Sequence, residues 1–65
     1  MKLYRLITGP DDEKFCLRIC EALNRGWELH GSPTLTHDGN HIVAGQALVK
    51  EVEGAFSKGV DLRDA

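Results

Sequence analysis

The side chains able to do chemistry in this 65-residue chain are two cysteines, three histidines, one tryptophan and an acidic run, and no spacing among them specifies a reaction. Cys16 and Cys20 are four apart in a stretch that reads as helical, so both point to one side of it. A metal site there needs two further ligands, with His30, His37 and His41 as the obvious sources. A disulfide asks both thiols to meet across one helical turn in strained geometry. The expectation is therefore a pair of reduced, buried thiols acting as small hydrophobes, neither with a histidine beside it in sequence to activate it. His37 and His41 flank a turn and fall on opposite faces of the hairpin it joins. His30 lies further back, so a three-histidine site is not expected. Asp11, Asp12 and Glu13 precede the helix and oppose the positive end of its dipole, a structural task. Catalysis by them needs a pocket and a proton-transfer partner. The same acids disfavour a phosphate at that helix end, and Thr8-Gly9-Pro10 is no glycine-rich phosphate loop. Trp27 is read as the plug of a small core, its N–H in need of an acceptor, rather than as a ligand-stacking platform. No catalytic, cofactor-binding or metal-ligating residue is expected.

Charge and length narrow the classes further. A net charge of −2 and a pI near 5.8 give no general attraction to nucleic acid or anionic membrane, although a local patch could still exist. Apart from two phenylalanines only Tyr4 and Trp27 could stack on bases. No apolar run approaches the roughly 18 to 20 residues of a membrane span, and Met-Lys-Leu-Tyr-Arg lacks the apolar core of a signal peptide. A cytoplasmic protein binding neither nucleic acid nor membrane is expected. At 65 residues the chain makes one domain, near the size at which a single core only just offsets chain entropy.

The elements that position these residues are readable in order. Lys2 to Thr8 is a strand with Leu3 and Ile7 on one face and Tyr4 and Leu6 on the other. Pro10 suits the first turn of a following helix. From Asp12 to Arg25 the residues Phe15, Cys16, Ile19, Cys20 and Leu23 form one helical stripe with Ala22 at its margin, and Leu17 stands away from it. Gly26 closes this helix in the left-handed conformation. Trp27 to Thr36 and His41 to Val52 are strands joined through Asp38-Gly39, read as a two-residue type I′ turn with His37 opposite Asn40. Counting back pairs Leu35 with Ile42, Pro33 with Ala44, Leu29 with Leu48 and Trp27 with Lys50 on the face the helix covers. The other face pairs Thr34 with Val43, Ser32 with Gly45, His30 with Ala47 and Glu28 with Val49. Pro33 cannot donate to a ladder, so this strand belongs at an edge or is bulged around Gly31-Ser32-Pro33, and a bulge is expected to shift the pairs nearer Trp27 by one. Residues 1–53 form the compact unit. Residues 54–65, rich in glycine and charge, are expected to be mobile, with a short docked turn through Phe56, Val60 and Leu62 as the alternative.

Strand, helix, strand, strand resolves as an α+β fold: β-α-β-β, a three-stranded antiparallel sheet in the order 1-3-2 with one helix on one face. The runs Leu3-Tyr4-Arg5-Leu6-Ile7-Thr8-Gly9-Pro10, Ala22-Leu23-Asn24-Arg25-Gly26-Trp27-Glu28-Leu29, Gly31-Ser32-Pro33-Thr34-Leu35 and Ala44-Gly45-Gln46-Ala47-Leu48-Val49-Lys50 resemble the bacterial and phage family called domain of unknown function seventeen thirty-seven. That resemblance covers residues 2 to 52 and implies no activity, so it transfers no site residues. One helix leaves one sheet face open. A homodimer, or a higher symmetric oligomer, is therefore expected through Tyr4, Val43, Gly45, Ala47 and Val49. The function this suggests is a non-catalytic, self-associating interaction module with a possible protein partner and no cofactor. The alternative is a small-molecule binder or enzyme with its site between subunits. A tautomerase-like route is closed, since the catalytic proline of those enzymes, directly after the initiator Met, is Lys2 here.

Overall fold

The computed structural model describes Met1–Arg63 and Ala65; Asp64, one of the tail charges, lies outside the described residues. The elements are β1 (Lys2–Pro10), α1 (Glu13–Asn24), β2 (Glu28–His37) and β3 (Ile42–Glu51). They form an antiparallel sheet in the order β1-β3-β2, the β-α-β-β arrangement expected. β1 runs two residues further than its apolar pattern suggests, because it is an edge strand on which Pro10, opposite Val43, has no ladder bond to lose on its outer side. Pro10 is thus not in the helix. Asp12 caps α1 instead, its side chain accepting the Phe15 N–H at 3.0 Å.

The end of α1 decides where Trp27 goes. Gly26 has φ +97°, the Gly26 N–H donates to the Leu23 carbonyl at 3.2 Å, and the Trp27 N–H reaches back to the Ala22 carbonyl at 3.1 Å. These two bonds make a Schellman motif, whose accompanying apolar contact is Trp27 against Ala22. Lys50, reaching across from β3, donates to the Arg25 carbonyl at 2.6 Å and adds a cation at the negative end of the helix. The core is Leu3, Ile7, Ala22, Trp27 and Leu48. Met1, Phe15, Ile19 and Val52 pack around it, together with Val60, Leu62 and Ala65 of the tail.

The hairpin departs from the expected register. Its loop has four residues, Asp38 to His41, closed by the Asp38 N–H on the His41 carbonyl at 3.1 Å, so His37 pairs with Ile42. Asp38 also accepts the Asn40 and His41 N–H groups at 2.9 and 2.7 Å, which hold its carboxyl pKa below the usual value. A type I′ turn needs positive φ at both central residues, and here Gly39 alone has it. Pairs near the loop become Leu35–Ala44, Thr34–Gly45 and Thr36–Val43. The irregularity does fall between His30 and Thr34, but the Leu29–Leu48, His30–Ala47 and Glu28–Val49 pairs stay as counted and the loop-side pairs move by two. Pro33 and Ser32 pair with nothing across the ladder. An even shift keeps every side chain on its expected face. Buried Gln46 fills the gap beside the bulge, its amide donating to the carbonyls of Ala47, Gly31 and His30 at 2.8, 3.3 and 3.4 Å.

The helix covers less than its face of the sheet. Twelve residues of helix span about 18 Å, against about 33 Å for a ten-residue strand. α1 lies toward β1, where Phe15 and Arg18 pass over Gly9. Leu29, Leu35 and Ile42, expected beneath the helix, therefore remain exposed.

Candidate functional site

The open face of the sheet is built from three strands in cross-strand rows. Tyr4, Val49 and Glu28 form one row, Leu6, Ala47 and His30 the next, then Thr8, Gly45 and Thr34, and finally Pro10, Val43 and Thr36. The five residues expected at an interface, Tyr4, Val43, Gly45, Ala47 and Val49, thus lie together on the side away from α1. Leu6 belongs with them at 58% exposed, beside Tyr4 at 53%. Its signal was the alternation of the first strand, which already puts Leu6 and Tyr4 on one face. Gly45 makes the centre low: a Cβ there would sit 3.0 Å from the Thr34 hydroxyl and 3.5 Å from the Thr8 methyl, which close over it from both sides. Ser32, expected in this shallow centre, lies in the bulge instead.

The other candidates do not converge. His30 is on the open face, while His37, on the opposite one, accepts the Gly39 N–H at its Nδ1. His41 lies in the loop with Nδ1 4.0 Å from the Asp38 carboxylate. Among the described residues no three His, Cys, Asp or Glu side chains are grouped to hold a metal. Both cysteines are free and exposed, which corrects the expectation of buried thiols. The apolar stripe of α1 is two rows wide and only one can face the sheet. The Phe15, Ile19 and Ala22 row packs on the core, with Arg18 donating to the Thr8 carbonyl at 2.9 Å beside it, and Cys16, Cys20 and Leu23 are left outside. Ala22, read as marginal, is at the centre of the contact. Both thiols are accordingly expected to react with a thiol reagent in native protein as fast as in denaturant, to within about tenfold. Strong protection of either in a native labelling time course contradicts the rotation of α1.

Trp27 is 2% exposed and its Nε1 donates to the Ala65 carbonyl at 3.3 Å, so the indole is core with its polar edge satisfied. No helix among the described residues is long and apolar enough to cross a membrane.

A family model matches residues 1–51, the entire β-α-β-β unit. The chain belongs to Domain of unknown function (DUF1737). No curated protein and no solved structure matches it. The DUF1737 match ends at Glu51, the last residue of β3, so the segment that brings Val60 and Leu62 to the core lies beyond the family unit.

Proposed function

We propose that this DUF1737 domain is a non-catalytic interaction module that pairs with a second copy of itself through the open face of its sheet. The observation that supports the reading is an apolar centre left in water: Tyr4 and Leu6 exposed beside half-buried Val43, Ala47 and Val49, with Val60 and Leu62 packed on the helix side instead. Charge is confined to one end, in Lys2, Glu28 and Glu51, while Thr8 and Thr34 flank Gly45 and Thr36 stands at the far end. Charge kept to the rim of a face is what an interface shows. A pair formed through this face is taken to bury roughly 600 to 800 Å² per chain, near the standard size for a stable pair. At about 25 cal/mol per Å² of apolar area the gross gain is on the order of 10 kcal/mol before association entropy is subtracted. Stacked sheets approach to about 10 Å, and the low middle at Gly45 permits that spacing.

Light scattering at tens of micromolar is expected to give twice the chain mass. Leu6→Lys is expected to halve it without unfolding, because this side chain is already exposed in the single chain. Leu35→Lys, on the helix side, is expected to leave the pair intact. A monomeric mass for the unmodified protein sinks the reading. Dissociation by Leu35→Lys but not by Leu6→Lys moves the interface to the other face.

A further inference from the structure

All four arginines of the chain stand around one cleft on the helix side of the sheet, although they are spread over the sequence as Arg5, Arg18, Arg25 and Arg63. The cleft holds about 320 Å³ and is completed by Glu21 and Ala22. The four lysines contribute nothing to it. In a protein of net charge −2, half of the basic side chains, and only the forked kind, are gathered at one place.

Three of the four guanidinium groups are held from behind. Arg5 lies over the Trp27 ring, 5.7 Å from its centroid. Arg18 donates one N–H to the Thr8 carbonyl at 2.9 Å. Arg25 is engaged by Glu21 at 3.2 Å and by the Arg63 carbonyl at 2.9 Å, which ties the tail to the end of α1. Among the described residues no carboxylate forms a salt bridge with Arg5, Arg18 or Arg63. A guanidinium carries five donors, so most of the N–H groups on these three are unspent on protein.

We infer that the cleft binds the phosphate group of a small phosphorylated molecule. Forked donors arriving from a strand, a helix and the tail match a tetrahedral dianion with several free oxygens, whereas one fork satisfies a planar carboxylate. The volume lies at the low end of small-molecule sites, roughly 300 to 1,000 Å³, and leaves room for a short organic moiety beyond the phosphate. This site lies on the opposite side of the sheet from the pairing face and does not depend on self-association.

The test uses the full chain and the emission of Trp27, the single tryptophan, on which Arg5 rests. Inorganic phosphate and glycerol 3-phosphate are titrated at constant ionic strength, with chloride and citrate as the comparison anions. Saturable changes with half-points of about 1 mM or below are expected for both phosphates, tighter for the ester. Arg18→Gln, a change on an exposed stretch of α1, is expected to raise those half-points about tenfold, the loss of one charge-assisted contact. Lys14→Gln, on the same helix but outside the cleft, is expected to leave them unchanged. Equal half-points for the two phosphates restrict the site to the inorganic ion and overturn the assignment to a phosphorylated molecule. Saturation by citrate alone overturns the choice of phosphate. A response matched by chloride, or one unaltered in Arg18→Gln, overturns the site.

Discussion

Trp27→Ala is expected to leave little folded protein at room temperature. The indole is 2% exposed at the meeting point of Leu3, Ile7, Ala22 and Leu48, and removing a buried large aromatic costs about 3 to 5 kcal/mol. At 0.05 to 0.15 kcal/mol per residue the whole domain is worth roughly 3 to 10 kcal/mol, so the loss takes most of it. The ring also supports the Arg5 guanidinium and donates to the Ala65 carbonyl. Trp27→Phe separates these contributions in part, since it keeps a buried ring and removes the donor together with the rest of the indole. Its expected cost is about 1 to 2 kcal/mol. Urea denaturation followed by far-UV circular dichroism measures both. A soluble Trp27→Ala variant with an unchanged midpoint is incompatible with an indole in the core.

The fold was legible because its strongest signals are local and agree with one another. Gly26 after Asn24-Arg25 marks the helix end, and the Schellman bonds to Ala22 and Leu23 are what such a glycine permits. Alternation within each strand assigns the faces, and the open face emerged with its expected occupants because a two-residue register shift preserves alternation. Loop length was not legible in the same way. Asp38-Gly39 suits a two-residue turn, but the Asp38 carboxylate has two backbone N–H groups within reach in the longer loop, and those bonds outweigh the dipeptide's preference. The rotation of α1 was hidden for a related reason. Two adjacent apolar rows are equivalent by periodicity, and the choice between them is made by tertiary packing, in which Phe15, Ile19 and Ala22 meet Leu3, Ile7 and Trp27. The arginine cleft is less visible still, since it needs Arg63 to arrive beside Arg25 from thirty-eight residues away.

That arrival makes the tail part of the stability of the domain, and truncation after Gly54 is expected to lower it by about 2 kcal/mol. Full burial of a Val or Leu side chain is worth about 1.5 to 3 kcal/mol, and Val60 and Leu62 are partly buried against the core. The Trp27 N–H loses its acceptor, and the cover over Leu3 and Met1 goes with it. Against these losses stands the chain entropy recovered when eleven residues are freed, which keeps the net effect well below the gross burial. For a domain of this length each kcal/mol moves the melting temperature by about 4 to 8 °C, so a fall of about 8 to 16 °C is expected. Val60→Ser with Leu62→Ser, in the full-length chain, should reproduce most of that fall if apolar contact is the cause. Apart from Tyr4, which lines a cleft with Phe56, Val60 and Leu62 at the β1 edge, the pairing face lies away from the tail, so at a temperature where the truncated chain is folded its mass by light scattering should still be that of two chains. A truncated chain with an unaltered melting temperature contradicts the docking of the tail on the core, whereas a truncated chain that folds but no longer pairs makes the tail, rather than the open sheet, the element that joins the copies.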